Sequence, residues 1–189
     1  AVRLYLLRHT RLSVESGLCY GQADIDVAPS FHAELALIRA KLAALTFDGL
    51  YTSPLQRCHK LAEALSIGEA VADDRLKELH FGDWELKKWD DIPRPAFDVW
   101  ANNYATQSPP NGETFAQLHA RATHFLQDVQ SKHAGQDVLV VAHGGLIRTL
   151  LADVLNIPLK GLFRFEIDYG SLTQLTFEGD IPRIGFVNR

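Results

Sequence analysis

The sequence predicts an α/β fold, a three-layer α/β/α sandwich with a mostly parallel sheet and a small helical cap. Short apolar runs typical of buried strands alternate along the chain with segments of helical periodicity. The loop-rich stretches at 92–95 and 106–112 are too short to link two independent domains. We therefore predict a single domain over residues 1–189, and the helical pattern at about 85–112 is compatible with a cap insertion there.

The first half of the chain predicts two strands and two helices. Residues 3–7 form a short buried-type strand. Apolar residues then recur at spacings of four and three from Phe31 to Leu45, behind a proline–serine start signal, and predict a helix. Residues 49–52 predict a second strand, after which Pro54 opens a helix that runs through Leu65.

The second half predicts two more helices and three strands. Thr114 and Gln117 have the spacing of a capping box, and the helix behind them shows one apolar face from Phe115 to Val129. Residues 137–142 are the clearest buried strand, and a helix follows from Leu146 to Leu155. The β-like runs 171–177 and 183–187 close the chain, where we expect antiparallel strands at an edge of the sheet.

Composition excludes several classes of protein. With 19 Lys+Arg against 23 Asp+Glu, the net charge of −4 provides no general attraction to nucleic acid or to an anionic membrane. No apolar run reaches the roughly 18 residues of a membrane span, and the first residues do not resemble a signal peptide. Cys19 and Cys58 are too few for a disulfide framework and suit a reducing cytoplasm. We therefore expect a cytoplasmic protein without a nucleic-acid or membrane partner; the sequence does not indicate an oligomeric state.

Nearly all the unusual polar residues lie at three strand-to-helix junctions. Arg8, His9 and Thr10 follow the first strand, and Arg57 lies on the first turn of the helix after the second strand. His143 and Gly144 follow the strand 137–142. Because ligands of open α/β sheets bind beyond the carboxyl ends of the strands, we expect these side chains to converge on one crevice.

This set of residue types suits a phosphoryl group. Arginine is a permanent planar cation that binds phosphate oxygens in a bidentate manner, and a helix N-terminus adds partial positive charge. Neighbouring cations would lower the pKa of a histidine there and leave a neutral nucleophile. A second histidine could hold the oxygens in the transition state, and Glu78 is the carboxylate that we expect to protonate the leaving alcohol. A metal site is disfavoured, because the arginines would repel a divalent cation.

The order of four motifs, LLRHT, SPLQR, LKELHFGDWE and VVAHGG, resembles the histidine phosphatase superfamily, also called phosphoglycerate mutase-like. The resemblance covers most of the chain. It implies that His9 becomes phosphorylated and that Arg8, Arg57 and His143 bind the phosphoryl group. It further implies that Glu78 acts as general acid and then as the base for water, and that Gly144 lends a backbone N–H.

Within the superfamily, the chain is similar to the α-ribazole phosphatase branch. The similarity lies in RHT, CYGQ at 19–22, FGDWE followed by WDDI, and PNGE at 110–113. It implies a phosphomonoesterase that needs no cofactor, with the small molecule α-ribazole 5′-phosphate as substrate and cobalamin synthesis as pathway. Many relatives have glycine in place of Thr10 and asparagine in place of Glu15. We expect Glu15 to point away and Gln22 to supply the amide, with Thr10 as a further substrate-binding candidate.

Two other functions stay open at this point. A phosphoglycerate mutase or sugar (bis)phosphatase would use the same residues, although the mutases of the superfamily are longer than this chain. A catalytically idle module that binds phosphorylated ligands belongs to another class, and Glu78 argues against it. Trp84 and Trp89 are expected to pack in the core or cap, with stacking on a heteroaromatic substrate as the alternative. Four histidines without a supporting pattern are expected to be exposed: His80, His119, His124 and His133.

Overall fold

A six-stranded sheet forms the centre of the protein, as seen in a computed structural model that describes all residues from 1 to 189. In chain order the strands are β1 (Val2–Arg8), β2 (Gly49–Thr52), β3 (Val71–Ala72), β4 (Asp137–Ala142), β5 (Leu172–Glu178) and β6 (Ile181–Phe186). Their spatial order is β3-β2-β4-β1-β5-β6. The first four in that order are parallel, and β5 and β6 run antiparallel. The predicted sheet is confirmed, with the two closing strands antiparallel and β6 at one edge. The short strand β3, which was not predicted, forms the other edge.

Five α-helices surround the sheet: α1 (Phe31–Leu42), α2 (Gln56–Ala64), α3 (Arg94–Asn103), α4 (Phe115–Lys132) and α5 (Gly144–Leu155). The capping box at the start of α4 is formed by Thr114 and Gln117 as predicted. Helix α2 begins two residues later than predicted, because Leu55 is still extended. Helix α5 begins two residues earlier, so that Gly144 and Gly145 form its first turn.

The strands separate two apolar cores because their side chains point alternately to the two faces of the sheet. Leu4 and Leu6 of β1 face the larger core of 29 buried residues, which also contains the apolar faces of α4 and α5. Tyr5 and Leu7 face the smaller core of 13 residues, with α1 and α2. The α/β/α sandwich predicted from the alternating elements is therefore confirmed.

The segment 85–112 carries a short helical turn at Trp89–Asp91 and then α3. Trp84 and Trp100 are buried in the larger core, with Trp89 packed against it. Trp84 therefore packs in the core, as expected, whereas Trp89 also borders the cavity that is described below. The assignment of this segment as a cap insertion within a single domain stays a prediction.

The expected exposure of the four unassigned histidines is wrong for His133. Its ring is 8% exposed and lies between the hydroxyl of Tyr51, 2.7 Å from Nε2, and the amide oxygen of Gln136, 2.8 Å from Nδ1. His80 and His119 are half-buried, and His124 is exposed. A ring that has two polar partners can be buried without an unsatisfied nitrogen, which local sequence does not reveal. None of the helices combines the length and the apolar character needed to cross a membrane.

Candidate active site

The polar residues of the three junctions lie together at the carboxyl ends of β1, β2 and β4. Arg8 is the last residue of β1, Arg57 the second residue of α2, and His143 immediately precedes α5. The rings of His9 and His143 have their centroids 5.3 Å apart and are inclined by 63°. The structure therefore brings residues about 134 positions apart in sequence into contact, as expected for neighbouring parallel strands that end at one edge.

His9 is held as a neutral ring with one nitrogen free. Its Nδ1 lies 2.8 Å from the backbone oxygen of Thr10, and since a carbonyl only accepts hydrogen bonds, Nδ1 carries the proton. Nε2 is then unprotonated and has no protein partner. The pKa of His9 lies well below 6.5, first because the ring is buried and second because Arg8 and Arg57 are close. Sequence reasoning named the arginines as the cause, but burial is the larger effect.

His143 is completely buried beside His9. Its Nε2 lies 2.8 Å from the hydroxyl of Ser53 and 3.6 Å from the Sγ of Cys58. Burial is the main reason why the pKa of His143 is well below 6.5, followed by the charge of Arg57. Ser53 was missed in the sequence analysis, although it opens the SPLQR motif. It fixes the ring orientation of a histidine that lies 90 residues further along the chain.

The two arginines are fixed by backbone carbonyls and each keeps an unused donor. Arg57 donates from Nη1 to the oxygen of Ala23 at 2.7 Å and from Nη2 to the oxygen of Gly21. Arg8 donates from Nη1 to the oxygen of Ile167 at 2.5 Å. The Nε atoms of both arginines are buried without a hydrogen-bond partner. Because buried donors are rarely left unpaired, two such donors in one crevice indicate a place for an anionic acceptor.

Two further polar groups at this place lack a partner. The hydroxyl of Thr10, which is fully buried, makes no hydrogen bond. The N–H of Gly144, at the first position of α5, has no acceptor within the helix or elsewhere in the protein. The positive end of α5 thus adds to the charge of the arginines. No group of three or more His, Cys, Asp or Glu side chains is arranged to hold a metal ion.

Glu78 lies against the N-terminus of α5, at its second residue, Gly145. Its Oε2 accepts a hydrogen bond of 2.9 Å from the N–H of Gly145, and its Oε1 accepts one of 3.0 Å from the N–H of Leu79. A Cβ atom on Gly145 would lie 2.4 Å from Oε1, so the carboxylate can approach this closely only because residue 145 is glycine. Glu78 and Arg8 border the same cavity of about 200 Å³.

Gln22 contacts the main chain of the acid. Its amide nitrogen donates to the backbone oxygen of Glu78 at 3.1 Å, a contact that the sequence did not predict. Glu15 is exposed. The expected amide contact of Gln22 with the phosphoryl group, and the expectation that Glu15 points away from it, stay predictions.

Glu85 and Arg121 support the site and were missed by the sequence analysis. The carboxylate of Glu85 accepts hydrogen bonds from the N–H groups of residues 21, 22 and 23. This fixes the segment whose carbonyl oxygens, at residues 21 and 23, accept the hydrogen bonds of Arg57. Arg121 donates to the backbone oxygen of Glu78 at 2.9 Å and pairs with Glu113. Glu85 lies in the FGDWE motif, which was a signal for its importance. Arg121 has no such local signal.

The cavity beside Glu78 is lined by aromatic side chains and is bordered by a second cation besides Arg8. Its aromatic lining residues are Tyr20, Phe81, Trp89, Phe115 and Phe163. Arg148 borders it too and donates from Nε to the oxygen of Phe165 at 3.0 Å. The sequence analysis did not select Arg148, although it lies one helical turn after Gly144 and therefore on the same face of α5. The cavity offers an apolar surface, one carboxylate and two guanidinium groups.

Comparison with known proteins agrees with this arrangement. The family model of the histidine phosphatase superfamily (branch 1) matches residues 4–189. The chain is 30% identical to the Hydrogenobacter thermophilus protein named "Putative phosphoserine phosphatase 2", covering 99% of this chain and 95% of the relative. It is 26% identical to the adenosylcobalamin/alpha-ribazole phosphatase of Salmonella typhimurium, covering 89% and 87%.

A solved structure shows the same fold. YhfR of Bacillus stearothermophilus superposes with a TM-score of 0.86 at 29% identity, over 98% of this chain and 96% of that one. A family match over nearly the whole sequence, phosphatase relatives of similar length and a common fold all agree. The chain belongs to the histidine phosphatase superfamily and is an enzyme of the phosphatase type.

Proposed function

We propose that the protein is a phosphomonoesterase that works through a phosphohistidine at His9. One observation carries the proposal: the unprotonated Nε2 of His9 lies in a buried crevice in which the Nε–H donors of Arg8 and Arg57 have no partner in the protein. A phosphate dianion would satisfy these donors and bring its phosphorus next to a neutral nucleophile. An uncharged imidazole also avoids the need to remove a proton before attack.

The reaction follows in two displacements. The dianion docks on the Nε–H groups of Arg8 and Arg57 and on the N–H of Gly144. By the motif similarity His143, whose neutral ring lies beside that of His9, provides a further contact. Nε2 of His9 attacks phosphorus, the ester P–O bond breaks, and a protonated Glu78 gives its proton to the leaving oxygen. The same carboxylate then takes a proton from water, whose oxygen attacks the phosphohistidine. Phosphate leaves, and His9 and Glu78 return to their starting states.

The motif similarity proposes α-ribazole 5′-phosphate as the substrate. The relative from Salmonella typhimurium supports it by name, and the aromatic wall of the cavity supports it by chemistry, since a flat heteroaromatic leaving group packs well on such a surface. A role in cobalamin synthesis and a cytoplasmic location would follow and stay predictions.

A phosphorylated hydroxy or amino acid is the second candidate. The relative from Hydrogenobacter thermophilus favours it by name. The charge of the cavity favours it as well, because Arg148 adds a cation beyond those that face the phosphoryl group. Phosphoglycerate mutase activity would differ in the acceptor of the phosphoryl group, which would be a second phosphoglycerate instead of water.

Steady-state hydrolysis of a substrate panel tests the proposal. The panel contains α-ribazole 5′-phosphate, phosphoserine, 3-phosphoglycerate and p-nitrophenyl phosphate, each scored by kcat/KM. We expect release of inorganic phosphate, inhibition by vanadate, no effect of a chelator, and loss of turnover in His9→Ala. Ordinary turnover in His9→Ala, or a need for added metal, would contradict the mechanism. Binding of phosphate without hydrolysis of any panel member would favour the idle binding module, and transfer to phosphoglycerate would favour the mutase.

A further inference from the structure

Arg148 is a cation in the cavity that forms no salt bridge. Its single hydrogen bond runs from Nε to the oxygen of Phe165. The carboxylate of Glu78 borders the same cavity but is bonded to the N–H groups of Gly145 and Leu79 instead. The two Nη nitrogens of Arg148, with four N–H donors, are therefore left for a ligand.

A second guanidinium lies close to Arg148. A Cβ atom built on Gly144 would be 3.0 Å from Nη1 of Arg148 and 3.3 Å from Cζ of Arg8, so both cations flank the same α-carbon. Burial and then the charge of Arg8 lower the pKa of Arg148, and the charge of Glu78 offsets only part of this effect. Two like charges at this separation, half-removed from water, repel each other and are stabilised when anions bind between and beside them.

The two arginines have different tasks if the docking described above holds. The side chain of Arg148 reaches back along α5, so that its guanidinium lies beside Gly144 and next to that of Arg8. Arg148 and Glu78 border the cavity, whereas His9, Arg57 and His143 do not. Arg148 therefore lies on the side of Arg8 where Glu78 meets the leaving oxygen in the proposed reaction. A substrate whose only anion is its phosphate would leave Arg148 without a partner. A substrate with an acidic group a few bonds from the ester oxygen would place that group within its reach.

We propose that Arg148 is a specificity residue that binds a carboxylate on the alcohol part of the substrate, so that the preferred substrates are phosphate esters of small hydroxy or amino acids. This inference rests on the proposed phosphomonoesterase function and selects the second of its two substrate classes. The aromatic wall opposite Arg148 then encloses the short carbon chain of the substrate and keeps water away from the ion pair.

Two pairs of substrates that differ in the carboxylate isolate its contribution. Phosphoserine is compared with O-phosphoethanolamine, and 3-phosphoglycerate with glycerol 3-phosphate. We expect the wild-type enzyme to favour the carboxylate member of each pair by about tenfold or more in kcat/KM, as one charge-assisted hydrogen-bonded pair supplies. Equal kcat/KM values within both pairs would overturn the proposal.

Arg148→Gln removes the charge at nearly constant length. We expect it to lower kcat/KM for phosphoserine by about tenfold or more and to leave O-phosphoethanolamine and p-nitrophenyl phosphate within about threefold of the wild type. Arg148→Lys should recover part of the preference because it restores the charge without the planar fork. Arg164→Gln, a neighbouring exposed arginine outside the cavity, should change neither substrate. Equal losses for all substrates in Arg148→Gln would show a structural role and contradict the proposal.

Failure of this inference is distinguishable from failure of the proposed function. If p-nitrophenyl phosphate or α-ribazole 5′-phosphate is hydrolysed through His9 but the carboxylate gives no advantage, the function stands and the inference is wrong. If no phosphate ester is hydrolysed, both are wrong. Calorimetric binding to the inactive His9→Ala variant gives a second measurement: phosphoserine should bind more tightly than O-phosphoethanolamine, and the additional Arg148→Gln change should remove that difference.

Discussion

His9 and His143 are 2% and 0% exposed, and this removal from water affects their chemistry more than the nearby cations do. An imidazolium ion would lose its hydration in the crevice and would also face Arg8 and Arg57. Both rings therefore stay neutral at a pH at which an exposed histidine is partly protonated. The hydrogen bond to Thr10 then decides which nitrogen of His9 can attack.

The low pKa values of these two histidines predict a loss of stability in mild acid. Their pKa values are lower in the folded protein than in the unfolded chain, so the unfolded chain binds more protons below pH 6.5. The free energy of unfolding should then fall by about 1.4 kcal/mol per pH unit for each histidine as the pH drops below that value. Urea unfolding at pH 7.5, 6.5 and 5.5 in phosphate-free buffer measures this fall in the free energy of unfolding.

Two asparagine variants serve as test and control for this pH effect. His9→Asn should reduce the dependence by about half, because one of the two shifted groups is gone. His32→Asn, which changes an exposed ring outside the site, should leave the dependence as it is. Equal stability of the wild type at pH 7.5 and 5.5 would contradict the assignment of two buried neutral rings.

Glu78→Gln removes the proposed acid while keeping an oxygen that can accept from the N–H of Gly145. Protonation of the leaving oxygen by a positioned acid contributes about 10²- to 10⁴-fold, so kcat for an alkyl phosphate should fall by that amount. The loss for p-nitrophenyl phosphate should be much smaller in the first displacement, because its leaving group needs no proton. Pre-steady-state release of the alcohol measures that step.

The matched control for this variant is Glu15→Gln. Glu15 is exposed and makes no hydrogen bond, so the change should leave kcat within about twofold of the wild type. A Glu78→Gln enzyme that hydrolyses alkyl phosphates at the wild-type rate would show that another group supplies the proton.

At the scale of elements, the start of α5 organises the site. Its first N–H is unpaired next to Arg8, its second holds Glu78, and Arg148 follows one turn later. The first turn of one helix thus gathers the proposed phosphoryl position, the acid and the proposed carboxylate subsite, because the side chain of Arg148 reaches back to Gly144. The two glycines permit this, because Cβ atoms at 144 and 145 would occupy the space of the arginines and of the carboxylate.

Gly145→Ala tests this arrangement directly. The added methyl group would lie 2.4 Å from Oε1 of Glu78 and must displace the carboxylate, while alanine itself suits a helix better than glycine. We expect a large loss of kcat with little change in the melting temperature. Gly161→Ala is the control, since its Cβ would meet only an ordinary contact at 3.7 Å. Unchanged kcat in Gly145→Ala would mean that Glu78 need not occupy this position.

Some contacts between these elements could be predicted from the sequence, and others could not. Strand ends and helix starts follow from local patterns, so the convergence of Arg8, His9, Arg57 and His143 could be predicted from the rule for parallel sheets. Contacts made by loops could not be predicted in this way. The carbonyl that fixes Arg8 belongs to Ile167, which lies 159 residues away, and no periodicity connects the two. Arg148 looks like any arginine of a helix in the sequence, because neither its place at the cavity nor its lack of a salt bridge can be predicted from local patterns.

For the whole molecule, overall charge and local charge differ in sign. The chain has a net charge of −4, but Arg8 and Arg57 lie together at the carboxyl ends of the strands, and Arg148 borders the adjoining cavity with Glu78. In the proposed function this local positive charge favours the approach of a phosphate dianion to a protein of negative net charge. Six strands and two cores, on opposite faces of the sheet, hold that place rigid.

The central claim is tested by trapping the enzyme during turnover. The wild type is mixed with excess p-nitrophenyl phosphate, quenched in alkali after a fraction of one turnover, digested, and examined by mass spectrometry and phosphorus NMR. We predict phosphate on Nε2 of His9, and none on the peptide that contains His143. Rapid turnover in which His9 never carries phosphate, or phosphate attached to a different residue, would contradict the account.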